Sequence, residues 1–126
     1  MKIRVTVQNG ANHGLSRSDV EGMLALVPGA WGRNVTSVAL NGHQEPNFEC
    51  TYYPKEKVLG LFWPQTEPRA QPPKAEAVEQ FLLALSVISE RGELPDRLSA
   101  SLREDHLRAI QAVRSKCLAA IGEHAT

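Results

Sequence analysis

Apolar and polar residues alternate from the first positions of the chain. Ile3, Val5 and Val7 lie between Lys2, Arg4, Thr6 and Gln8, the period-two pattern of a strand with one buried and one wet face. Asn9-Gly10-Ala11-Asn12-His13-Gly14 then reads as a loop. Ser16 stands as a helix N-cap, with Asp19 at the capping-box offset and Leu15 and Val20 at the hydrophobic-staple spacing. Val20, Met23, Leu24 and Val27 form the apolar stripe of a first helix that stops at Pro28-Gly29, and Trp31 is expected to plug the turn after it.

Three short strands follow. Thr36, Val38 and Leu40 alternate along one that ends at Asn41-Gly42. Phe48, Cys50 and Tyr52 alternate with Glu49, Thr51 and Tyr53 along the next, and Pro54-Lys55-Glu56-Lys57 turns the chain into the third, 58–63. In this last strand both alternating sets are apolar, so it is expected to be covered on both faces. Residues 64–73 hold four prolines and predict a semi-rigid connector without helix. From Lys74 the period changes to that of a helix. Val78, Phe81, Leu82, Leu85 and Ile88 make one stripe and Leu83 with Val87 a second, which predicts a helix over 74–91 sandwiched between other elements. Gly92 and then Pro95 supply its stop signal. A helical turn over Pro95–Ser99 and a long helix from the capping box Ser101–Glu104 to about Glu123 complete the chain.

The order strand, helix, three strands, two helices predicts an α+β domain: a four-stranded mixed sheet with helices packed mainly on one face. Its first two strands should be parallel across a right-handed crossover, and its last three should be linked by short antiparallel connections. All 126 residues fit one domain, the proline-rich connector joining the sheet to the C-terminal helices.

Composition narrows the function classes. With 42% hydrophobic residues the chain is an ordinary globular one. Fourteen basic against 14 acidic side chains leave no net positive field, and those of the helical third alternate in sign, so no nucleic-acid partner is expected. The alternating N-terminus lacks the apolar run of roughly 7 to 15 residues of a signal peptide, and the longest apolar run, Phe81–Leu85, predicts no membrane span. Cys50 and Cys117 form no CxxC pair and read as small buried hydrophobes of a soluble, cytoplasmic protein.

Candidate chemistry is sparse. His13, His43, His106 and His124 fall in no HExxH or Cys2His2 pattern. His106, Cys117 and His124 share a helix face, but at about 1.5 Å rise per residue they stand too far apart to ligate one ion, so neither metal nor cofactor is expected. Glu45 and Glu49 read as solvated strand-edge carboxylates, and no Gly-x-Ser-x-Gly elbow occurs. The order of elements loosely resembles that of minimal zinc peptidases, in which the helix after the last strand carries HExxH. Here 78–85 reads Val-Glu-Gln-Phe-Leu-Leu-Ala-Leu, so the resemblance implies at most a metal-free, catalytically silent domain.

Two surfaces remain. Loop 9–17 leads from a strand into a helix N-terminus, and Asn12, His13, Ser16 and Arg17 could supply donors for an anion or small ligand, although both phosphate-loop signatures are missing. Tyr53, Leu59, Phe62 and Trp63 form an apolar excess. Neighbours along a strand point to opposite faces, so Tyr53 and one of Phe62 or Trp63 should lie on the far side of the sheet. There the connector or a second chain would have to cover them. The leading expectation is therefore a non-catalytic interaction or scaffold domain, self-associating through the sheet's open face or the outer side of helix 74–91, with a protein partner or a second copy.

Overall fold

A computed structural model describes residues 3–8, 12–65 and 72–122. Its elements are β1 (Arg4–Val7), α1 (Arg17–Leu24), a 3-10 turn (Gly29–Gly32), β2 (Ser37–His43), β3 (Glu49–Tyr53), β4 (Val58–Pro64), α2 (Lys74–Arg91) and α3 (Ala100–Ala120). The class is α+β, with one four-stranded mixed sheet in the order β1-β2-β4-β3.

The parallel pairing of β1 with β2 was expected. So was the antiparallel hairpin of β3 with β4, and what the connections alone leave open is the second neighbour of β2. β2 and β3 run in opposite directions but are not neighbours, because β4 inserts between them, parallel to β2 and antiparallel to β3. The reason lies in β4 itself: an apolar, seven-residue strand is stabilised most in the middle of a sheet, whereas the shorter β3, with exposed Glu49, Thr51 and Tyr53, tolerates an edge. β2 also runs past Asn41-Gly42 to His43, since Gly42 and His43 stay in register with Trp63 and Pro64.

One face of the sheet carries Val5, Val38, Leu40, Tyr52, Leu59, Leu61 and Trp63, all buried in a single core. Helices cover only this face. β4 is thus not sandwiched as its composition suggested; its other set, Val58, Gly60 and Phe62, lies on the open face, where the Phe62 ring folds back over Gly60. A Cβ at Gly60 would stand 2.8 Å from that ring, so the strand covers itself locally.

α1 begins as expected. Ser16 Oγ accepts from the Asp19 amide while the Asp19 carboxylate accepts from the Ser16 amide, both at 3.0 Å. The helix ends at Leu24, before Val27, and Trp31 sits half-buried in the 3-10 turn. α2 spans Lys74–Arg91 and is capped by Gly92 at φ 72°, the left-handed conformation that favours glycine. Every residue from Phe81 to Ile88 is buried, as a helix apolar around its circumference requires, and α3 and the sheet provide the cover. A buried side chain of the size of Phe, Leu or Ile contributes about 1.5–3 kcal/mol, which makes α2 the centre of the core.

The third helix differs from expectation at its start. Residues 95–99 form no helical turn, and the N-cap is Ser99, whose Oγ accepts from the Leu102 amide at 3.2 Å, not Ser101. The earlier start leaves 93–98 as an irregular loop. Glu123 and His124, like residues 66–71 of the expected connector, lie outside the described residues. Among the described residues no helix is long and apolar enough to cross a membrane.

Candidate interaction site

Three ring side chains, His13, Phe48 and Trp63, define the junction between loop 12–16 and the end of β4. His13 Nδ1 accepts from the Leu15 amide at 3.0 Å, which leaves the ring proton on Nε2, 3.1 Å from the Leu61 carbonyl that accepts it. The imidazole is therefore held as one neutral tautomer. Burial, the largest influence, pushes its pKa below the ordinary 6.5, opposed by the hydrogen bond to Leu61. Its ring lies 5.2 Å from that of Trp63, which in turn meets Phe48 at 5.6 Å in an edge-on arrangement.

Of the donors considered for an anion, the His13 ring is engaged within the chain, and the others are in part committed to it. Both ring nitrogens of His13 are occupied, and Ser16 and Asp19 close the capping box, which places a carboxylate at the helix N-terminus. Asn12 pairs its backbone with the Gln65 amide group, at 3.0 and 2.9 Å, and Arg17 faces Glu21. Asn9, Gly10 and Ala11 lie outside the described residues. The geometry of residues 12–17 is that of a structural clasp between the first crossover and β4.

The four aromatic and apolar residues expected at a docking surface divide by strand parity. Leu59 and Trp63 point toward the helices and are 0% and 3% exposed, so a partner has nothing of them to touch. Tyr53 and Phe62 lie on the open face, Tyr53 at 42% exposure and Phe62 half-buried against Gly60 and the His43 ring. Their neighbours there are the half-buried Val58, paired with Tyr53, and the small or polar Arg4, Thr6, Ser37, Ala39, Asn41, Glu49 and Thr51. The open face thus carries Tyr53 and one of the Phe62/Trp63 pair, as strand parity required.

The sheet's edge offers more. Among the described residues no strand lies beyond β3, which leaves one row of its backbone N–H and C=O groups facing outward. Along that same side runs a groove of about 460 Å³. Its wall is residues 48–52, its floor Gln80, Leu83 and Ala84 of α2, and its far bank Leu94, Pro95, Asp96 and Leu98 with Arg103 at the start of α3. The irregular loop after α2 is what builds the far bank. In the groove, burial, seconded by the Glu49 charge, pushes the Cys50 thiol up to about 12, so it stands there as a neutral apolar group and not as a nucleophile. Of this set the sequence pattern presents Glu49 as a solvated carboxylate and Cys50 as a small buried hydrophobe, and neither as part of a groove. A signal was nevertheless present: Pro46 and Pro54 bracket β3, as prolines do at an edge strand.

A second polar cluster joins α2 to α3. Ser86, the single polar residue in the buried run 81–88, has its Oγ 2.6 Å from His106 Nδ1, and His106 Nε2 lies 3.3 Å from the Glu90 carboxylate without the alignment of a hydrogen bond. Ser86 and His106 are both buried in the helix interface. Replacing Ser86 by Ala should remove the only aligned partner that ring has among the described residues and destabilise the fold by about 1–2 kcal/mol, read from the urea midpoint at neutral pH. An unchanged midpoint would show that the pair contributes nothing net. Among the described residues no three His, Cys, Asp or Glu side chains are placed to hold a metal ion.

No protein-family model, curated protein or solved structure matches this chain.

Proposed function

We propose that this chain is a non-catalytic protein-interaction domain that engages its partner along the outer edge of β3. One observation carries the reading: an open backbone edge and a groove of mixed lining, with Leu94, Pro95 and Leu98 beside Gln80, Asp96 and Arg103, lie on the same side of the same strand. A strand that only terminated a sheet would need no groove, and a groove without an edge would offer only side-chain contacts. Together they provide the two parts of strand addition, main-chain hydrogen bonds for affinity and a trough for alternate side chains. The Cys50 thiol, the one cysteine in the groove, is held protonated there, which favours docking over thiolate chemistry.

The test combines unbiased peptide display on the purified chain with sedimentation of the chain alone, both mapped by backbone amide shifts. Binding of a selected peptide, or association of two copies, should move the amides of 48–53 and of the loop 94–98. Shifts that map to another surface, or a strict monomer that selects no peptide, would overturn the reading.

A further inference from the structure

We infer that the occupant of the β3 groove is an extended segment of a different polypeptide, with small-to-medium apolar side chains alternating with polar ones and a basic residue opposite Glu49. The inference rests on docking at the β3 edge and adds the identity class of what docks. Parity sets the alternation. Cys50 and Tyr52 point to the helix side of the sheet, while Glu49, Thr51 and Tyr53 point to the open face. In a strand laid beside β3, every second side chain faces the trough, where Leu94, Pro95 and Leu98 are the accessible apolar lining above the buried Leu83 and Ala84, and the others stand in line with Glu49, Thr51 and Tyr53.

A second copy of this chain meets half of that requirement. Its own β3 could supply the backbone pairing, but the residues it would turn toward the trough are Cys50 and Tyr52. In each copy Tyr52 is 9% exposed, its hydroxyl donating to the Asn34 carbonyl, and it already belongs to that copy's core. Pairing of two copies would leave the groove unfilled. A segment not committed to a core of its own fills it.

Charge fixes the remaining preference. Glu49 and Asp96 line the groove, and among the described residues neither is in an ion pair. Arg103, the one basic group of the lining, has its guanidinium 4.0 Å from the Glu79 carboxylate. The groove therefore presents a net negative rim to an incoming strand, and opposite charges across neighbouring strands are mutually stabilising.

The probes are capped heptapeptides of alternating valine with lysine or threonine, a glutamate-for-lysine version, and a version with proline at the central valine, titrated against the whole chain by fluorescence anisotropy and amide shifts. The lysine peptide should bind saturably and move the amides of 48–53, the proline peptide should not bind, and the glutamate peptide should bind about threefold more weakly than the lysine one. Glu49→Lys, at an exposed position, should reverse that order while leaving the melting temperature unchanged. An order that does not reverse, or peptide shifts that fall elsewhere, would overturn the inference. So would a dimer of the chain that places β3 against β3, though docking at the edge would then stand. A strict monomer indifferent to every peptide, displayed or designed, would remove both.

Discussion

Gly14→Ala should destabilise this chain by about 3 kcal/mol or more, the upper end of what overpacking a core usually costs. A Cβ at position 14 would stand 2.1 Å from Cζ2 and 2.2 Å from Cη2 of Trp63. Those are ring atoms, not the far end of a flexible side chain. The indole also has nowhere to go: it is 3% exposed and wedged between His13 and Phe48. Either Trp63 leaves the core or the loop before α1 lifts off the sheet, and both outcomes open the clasp that ties the first crossover to β4. Urea unfolding should show the loss as a lower midpoint with little change in slope. A double-mutant cycle isolates the cause. In a Trp63→Leu background, itself destabilised by the smaller side chain, the added cost of Gly14→Ala should fall by more than half, because the atoms it collides with are gone. If Gly14→Ala costs less than about 0.5 kcal/mol, the indole does not lie on the Gly14 backbone.

The clasp shows where sequence patterning reaches its limit in this chain. Position 14 is legible as a turn glycine, but its reason is not local: the partner is an indole 49 positions later, and no periodicity links the two. Trp63 itself illustrates a second limit. Strand parity requires one of Phe62 and Trp63 to face each way, and the pattern alone leaves open which one. The register Gly42↔Trp63, continuous with Leu40↔Leu61, turns Trp63 inward and leaves Phe62 to cover Gly60. By contrast, both ends of α2 and the cap of α1 were legible because their determinants, Pro73 before Lys74, Gly92, Ser16 and Asp19, are neighbours in sequence. Strand order falls between these cases. A strand apolar on both parities marks a central position in a sheet as well as a two-sided one, and β4 occupies the centre with helices on one side only. The groove beside β3 was the least legible feature, since it is assembled from four separated segments and its far bank has no regular structure.

Acidification should weaken the fold through the same clasp, and His13→Gln should abolish that part of the pH response. In the folded chain His13 is neutral, with its pKa depressed below 6.5, whereas in the unfolded chain it titrates near the ordinary value. Between those two values the unfolded state binds more protons than the folded one, so stability rises with pH across the window. The contribution of the neutral ring is complete above about 6.5 and is lost progressively as the pH falls toward the depressed value. The hydrogen bonds explain why the protonated ring fits poorly: a proton on Nδ1 would confront the Leu15 amide hydrogen donor at 3.0 Å, replacing an acceptor by a second donor. Protonation thus breaks the bond that shapes the turn into α1, while the bond to the Leu61 carbonyl survives. His13→Ala removes both bonds and the contact with Trp63 at once, and should cost about 2–4 kcal/mol at pH 7.5. His13→Gln can restore at most one of the two bonds and has no titrating group. Its stability should therefore lie between the other two and change less between pH 7.5 and 5.5 than that of the parent chain. Equal pH slopes in parent and His13→Gln would assign the acid sensitivity to another histidine, and equal stabilities of parent and His13→Ala would show that the clasp does not hold the crossover at all.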